Sequence, residues 1–233
     1  MTKPDSNEPM KGSPPRGLWH KLLKGSTDNR PTRFHTQDGG LAPFGAYFRL
    51  PVALGQWLQL RFFGRRVECP WIPSSATRLI ERHLSPGARV LKIGAGMSTL
   101  WLAQRCKSLL SIEADQEWFD RLGAILAERG LKHVDLQFRW RADDMCDFST
   151  IPDASLDLCF IDGGPRLECL RAALPKLKPD GWLYVDNTDL YPDTKEYLAT
   201  LPPAQSCLTF HRGFAPACLF VNEGAILQMV PAR

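Results

Sequence analysis

No two of the seven cysteines are spaced CxxC, no eighteen apolar residues run together, and no apolar core follows the lysines near the amino terminus. The first absence removes the usual way of bringing two thiolates to one zinc ion or one redox bond. Scattered as Cys69, Cys106, Cys146, Cys159, Cys169, Cys207 and Cys218, several of them inside apolar runs, the thiols are expected to be reduced core residues of a cytoplasmic protein. The other two absences predict neither a membrane-spanning helix nor a secretory leader. Net charge is scarce as well. The chain carries +4, and residues 1–40, with seven Lys or Arg against four acids, supply three of those charges. The remainder is nearly neutral, so no nucleic-acid partner is expected for it.

What is present is ordinary globular material: 233 residues, 44% hydrophobic and 23% charged. That suffices for one α/β domain with an accessory segment. Residues 1–45, rich in Pro, Gly, Ser, Lys and Asp, are expected to form a disordered basic tail, with a short apolar cluster at Leu18–Leu23. Residues 46–73 are expected to be a cover segment. Within it LPVALGQWLQLRFF (50–63) has near-helical apolar spacing, which favours packing on the core and has contact with a membrane surface as its alternative.

From residue 74 to 233 the pattern becomes that of a domain. A polar-capped helix, SSATRLIERHL, stops at Ser85-Pro86-Gly87. Strands are expected at 89–93, 108–113, 133–140, 156–161 and 181–186, with helices at 98–106, 115–129 and 166–174 between them. Such alternation demands a parallel sheet with right-handed crossovers and helices on both faces. Apolar runs at 207–211, 217–221 and 225–230 suggest a closing antiparallel hairpin. The fold class expected is therefore α/β, a Rossmann-like, mostly parallel sheet with an antiparallel C-terminal hairpin.

The most informative stretch is RVLKIGAGMST, where a buried strand runs into Gly94-Ala95-Gly96 and then into a helix whose first polar residues are Ser98 and Thr99. Glycines there let backbone approach a ligand closely. A nicotinamide dinucleotide site would want a third glycine at position 99, and Thr99 argues against it. Glu113 closes the second strand seventeen residues after Gly96, where a carboxylate can accept from ribose hydroxyls. Strand, GxG, helix, strand and acid together point to an adenosine-containing ligand.

In KIGAGMST, SIEADQEWFDRL, DLCFIDGGPR and LKPDGWLYVDNT the chain resembles class I S-adenosylmethionine-dependent methyltransferases over residues 70–222. The resemblance implies S-adenosylmethionine as cofactor, with Gly94, Ala95 and Gly96 against its methionine part and Ser98 and Thr99 beside them. It implies that Glu113 and Ala114 lie at the ribose, and that an acid of Asp143 or Asp144 accepts from the adenine amino group. The family usually has an acid two residues before the first glycine, where this chain has Lys92. A cation there repels the cofactor's ammonium group unless the side chain turns away.

A second group comprises Asp162, ending the fourth strand, and Asp186 with Asn187, ending the fifth, which a parallel sheet brings to one rim. Three hard oxygen donors suit Mg²⁺ or Ca²⁺, and the set looks like the divalent-metal site of catechol-type O-methyltransferases. The plainer reading is that strand-end aspartates cap the next helix. Asp162 is also the candidate base, alongside His211 for proton removal and Arg166 as a clamp for an anionic group. Ordinary structural roles stand beside both of the latter, and Trp71 has either a covering or a packing role. The activity these residues imply is methyl transfer to oxygen, or to nitrogen, of a small molecule or glycan. The rival is a silent member of the same fold acting as a partner-binding module. Nothing in the sequence sets an oligomeric state.

Overall fold

A computed structural model describes residues 29–230; the Leu18–Leu23 cluster lies outside them. Seven strands form one sheet in the order β3-β2-β1-β4-β5-β7-β6. They are β1 (Arg89–Ile93), β2 (Ser108–Glu113), β3 (Val134–Phe138), β4 (Leu156–Ile161), β5 (Leu177–Asp186), β6 (Ser206–Phe214) and β7 (Val221–Met229). The first five run parallel, and β7 lies antiparallel to both β5 and β6. The fold is Rossmann-like α/β with an antiparallel C-terminal pair, and the reversal of order at β1 and β4 creates a crevice beyond their carboxyl ends.

Alternation along the central strands assigns the two faces. Leu91, Ile93, Cys159, Ile161, Leu183 and Val185 pack on one side beneath α6 (Arg166–Ala173) and α7 (Pro192–Thr200). Val90, Leu158, Phe160 and Tyr184 pack on the other beneath α2 (Ser74–His83) and α3 (Met97–Ala103). Lys92 lies on this second face and is fully buried. The remaining helices are α1 (Leu50–Phe63), α4 (Gln116–Glu128) and the single turn α5 (Ala142–Met145), with a 3-10 turn at Phe44–Arg49 leading into α1.

Three differences from the sequence reading have physical causes. The apolar runs expected after residue 206 form two long strands, because Ala217 adopts a left-handed turn and the segment before Val221 is spent on the connection. Residues 29–45 are packed rather than tail-like: Arg30 donates from Nε to the Val221 carbonyl at 3.1 Å and stacks on Phe220, and the Gln37 N–H donates to Asp189 Oδ2 at 2.8 Å. Lys195 pairs with Asp38 at 2.6 Å. Helix α1 packs by a narrow strip alone, since Ala53, its one buried residue, joins Ala42, Phe214 and Val221 with Leu50 against them, and most of its apolar side chains stay exposed. Helix α7 gave no apolar period strong enough to be expected. All seven cysteines are free thiols, but only Cys159 and Cys169 are buried.

Candidate functional site

At the carboxyl rim, the loop after β1 touches the loop after β4. A Cβ on Gly94 would stand 2.8 Å from the carbonyl carbon of Asp162, and one on Gly163 would stand 2.6 Å from Gly94 Cα. Gly94 also has φ +82°, a conformation that L side chains rarely adopt. The two glycines therefore let the loops interlock, and the interlock holds Asp162 beside the start of α3. Gly96 has a different role. A Cβ there would point into open space, so its absence leaves a cradle unfilled.

That space is a cavity of about 280 Å³ lined by Ala95, Gly96, Ser98 and Asp162, with Trp71, Trp118 and Arg66 as its outer wall. The Arg66 guanidinium lies 4.9 Å from the Trp118 ring centre and 5.7 Å from that of Trp71. Trp118 is fixed by its own helix start, where Asp115 caps α4 by accepting from the Trp118 N–H at 2.9 Å. The Glu113 carboxylate, at the end of β2, accepts from the N–H groups of Ala114 and Asp115, both at 2.8 Å through Oε1. Those bonds orient the side chain at the rim.

The expected residues divide between this cavity and its support. Ala95, Gly96, Ser98 and Asp162 line it together. Gly94 serves the interlock beneath. Thr99 is fully buried, and its Oγ1 accepts from the Gly96 N–H at 3.2 Å and shares a hydrogen with Ser111 Oγ at 3.0 Å, so it shapes the turn from behind. Asp143 and Asp144 lie exposed on α5, with Asp144 near Arg141. His211 is not brought to Asp162. It pairs through Nδ1 with Ser75 at 3.1 Å and through Nε2 with Thr209 at 3.2 Å, and burial lowers its pKa. Arg166 is buried, donates to the Gly164 carbonyl at 3.0 Å and covers the Tyr191 ring.

Lys92 does turn away from the cavity. Its Nζ sits 4.4 Å from the Phe160 ring centre and 3.6 Å from Asp162 Oδ2, an ion-pair distance without a hydrogen bond. Burial pulls its pKa down, and the Asp162 carboxylate opposes that pull. Below the same rim the Tyr184 hydroxyl donates to Asp186 Oδ1 at 2.7 Å. Gly224 makes this possible, since a Cβ there would overlap the tyrosine hydroxyl. Burial first, and the Asp162 charge second, push the Asp186 carboxyl well above the usual carboxylate range.

These facts do not fit the expected Mg²⁺ site. The Lys92 ammonium already faces Asp162, Asp186 is buried against a tyrosine and disposed to keep its proton, and Asn187 is a left-handed turn residue at φ 59°. Among the described residues no group of three or more His, Cys, Asp or Glu is placed to hold a metal ion. The donors suit a buried polar support for the rim, not octahedral oxygen coordination.

A second cavity of about 740 Å³ adjoins the first and shares Trp71 with it. Phe34, Leu50, Leu54, Trp57, Leu219 and Phe220 form most of its wall, with Arg33 among the few polar residues. Its size is ordinary for a small-molecule site. The Trp71 Nε1–H is buried and has no acceptor among the described residues. An orphaned donor at the junction of two cavities is the kind of group a ligand satisfies. Arg66, Trp118 and this apolar wall were not foreseen from the sequence. Only Trp118 had a local signal, on the first turn of the helix that follows Glu113.

The cradle, the strand-end acid and the aromatic wall fit a nucleoside carrying an amino-acid arm. A family model described as a methyltransferase domain matches residues 91–188, the segment from β1 through the loop after β5. Among solved structures, the chain is similar to the O-methyltransferase TomG from Streptomyces achromogenes involved in tomaymycin synthesis, determined with S-adenosylmethionine. Identity is 22%, coverage is 80% of this chain and 95% of that one, and the TM-score is 0.57. It is also similar to a SAM-dependent O-methyltransferase from Thermotoga maritima (16% identity, 76% and 72% coverage, TM-score 0.51). An rRNA methylase from Streptococcus thermophilus matches at 14% identity, 67% and 95% coverage and TM-score 0.54. At such identities the likeness is one of fold. No curated protein matches the sequence significantly.

Proposed function

We propose that this chain, whose residues 91–188 match a family model described as a methyltransferase domain, is a class I S-adenosylmethionine-dependent methyltransferase that methylates an oxygen of a small acceptor with an apolar body. The observation that carries this reading is the pair of cavities joined at Trp71, one with a glycine cradle and an acid, the other apolar. Bound S-adenosylmethionine supplies an electrophilic methyl on a cationic sulfur, whose transfer breaks the C–S bond and forms a C–O bond. Gly96 and Ser98 would hold its amino-acid arm and Glu113 its ribose hydroxyls, and Trp118 with Arg66 would shield it from water. Asp143 and Asp144, exposed on α5, are the acids proposed to reach its adenine amino group. Asp162, with its side chain 29% exposed and balanced by Lys92, is the group proposed to take the acceptor's proton or to orient its hydroxyl.

Most of the work asked of such a site is positioning, since in-line attack on a sulfonium methyl needs little covalent help. The apolar wall of Phe34, Trp57, Leu219 and Phe220 favours an aromatic or aliphatic acceptor over a glycan, whose hydroxyls would lie against it unsatisfied. The Trp71 N–H offers the junction one hydrogen bond. His211, held by Ser75 and Thr209, is left out of this reading, and buried Arg166 is assigned to holding the loop after β4.

The test is transfer of labelled methyl from S-adenosylmethionine to a panel of phenolic and hydroxylated apolar compounds. Labelled product, with kcat lowered by Asp162→Asn and KM raised by Trp57→Ala, supports the reading. Tight binding of S-adenosylhomocysteine with no transfer to any acceptor, apolar or polar, favours the partner-binding module instead.

A further inference from the structure

Helix α1 and the turn before it are apolar in a way their burial does not explain. A helix that is hydrophobic all round is normally buried. Of the fourteen residues in LPVALGQWLQLRFF only Ala53 is. Leu50, Leu54 and Trp57 face the acceptor cavity, yet the outward side is also apolar. Phe62 and Phe63 are 68% and 74% exposed, and Phe44 and Phe48 are 80% and 72% exposed and packed edge to face on each other. A surface patch of this kind marks an interaction site.

Charge says what kind of surface covers it. From residue 39 to residue 67 there is no Asp or Glu, while Arg49, Arg61, Arg65 and Arg66 all lie there. We propose that α1, with the preceding aromatic turn, seats the protein on an anionic lipid surface, its phenylalanines entering the acyl boundary and Arg61 and Arg65 meeting the headgroups. Fourteen residues at 1.5 Å each extend about 21 Å, too short to cross the roughly 30 Å hydrocarbon core, so the helix lies along the interface. No described helix is long and apolar enough to span a membrane. A second copy of the chain suits the patch less well, because a two-fold contact between these segments brings together Arg49, Arg61, Arg65 and Arg66 of both copies with no acid from either segment to answer them. A nucleic-acid duplex, whose bases are stacked inside, would answer the arginines and leave the phenylalanines in water. The proposal stands whether or not the rim cavity transfers methyl groups.

The test is flotation of the full chain with phosphatidylglycerol-rich and with pure phosphatidylcholine vesicles, alongside light scattering. The expected result is binding to the anionic vesicles, weaker by about tenfold or more on the neutral ones. The double variant Phe62→Ser/Phe63→Ser should lose roughly tenfold or more in vesicle affinity while keeping its thermal transition and its S-adenosylhomocysteine binding. Neutralising Arg61 or Arg65 to Gln should cost about fivefold each, and added salt should remove that part. Three results would overturn the proposal. These are no vesicle binding by the wild-type chain, vesicle binding indifferent to the phenylalanine variant, or a stable dimer dissociated by that variant without any lipid binding.

Discussion

The two cavities that meet at Trp71 are built on opposite principles. The smaller is made of backbone. Its floor is the contact between Gly94 and Gly163, its cradle is a missing side chain at Gly96, and its acid is fixed by ending a parallel strand. The larger is made of side chains from distant places: the segment 33–34, helix α1, and the connection from β6 to β7. A backbone-built site tolerates almost no change at its glycines but accepts variation in its rim. A side-chain-built site should behave the other way, with graded losses and no single indispensable position.

Gly94→Ala should give the largest effect. It adds a Cβ at 2.8 Å from the Asp162 backbone and demands a left-handed alanine, together costing about 3 kcal/mol or more of stability in urea titrations. A variant as stable as the wild type would show that the interlock is not what holds the rim.

That contrast also explains what could be read in advance. The strand, the GxG turn, the helix and Glu113 follow one another in the chain, so local pattern locates the rim that carries the smaller cavity. The turn that carries Thr99 is legible in the sequence, but pattern does not say which way a buried Oγ points when Ser111 offers it a partner. The apolar wall of the larger cavity could not be read, since Phe34 and Phe220 meet through the packing of residues 29–45 on β7, which composition assigns to a tail. Strand order brings Asp162 and Asp186 to one rim, but no sequence pattern shows the Lys92 ammonium reaching Asp162 from inside the sheet, which speaks against Mg²⁺ there.

Aromatic substitutions should sharpen the comparison. Trp118→Ala should weaken S-adenosylhomocysteine binding roughly tenfold, whereas Trp57→Ala should leave it unchanged and act on the acceptor alone. Trp71→Phe keeps one aromatic ring and removes the part of the indole that carries the orphaned N–H, so a loss of about fivefold in kcat/KM is expected. Equal effects of Trp57 and Trp118 on cofactor binding would erase the division between the cavities.

Two smaller effects concern the buried polar support. The Asp186 carboxyl is raised in the folded protein by burial and by Asp162, with Tyr184, Lys92 and Arg166 around it. The folded state therefore holds the proton more tightly than the unfolded chain, and stability is lost as pH rises from the ordinary carboxylate range through the folded value. Asp186→Asn removes that loss, so its stability relative to wild type should grow with pH in urea titrations across that window. A constant difference would show that Asp186 titrates normally. Lys92→Met exchanges a buried ammonium without hydrogen bonds for an apolar chain of similar length, and the half-exposed Asp162 can be hydrated in its place. Stability should stay within about 1 kcal/mol of wild type or rise. A loss of about 3 kcal/mol would mean that the ion pair holds the rim together.

The central claim is that Gly96 opens the floor of a methyl-donor cavity, and calorimetric titration with S-adenosylhomocysteine tests it most directly. The account predicts micromolar binding by the wild-type chain, abolished by Gly96→Val in a protein that melts at the same temperature. No binding by the folded wild type, or binding unchanged in Gly96→Val, would contradict it.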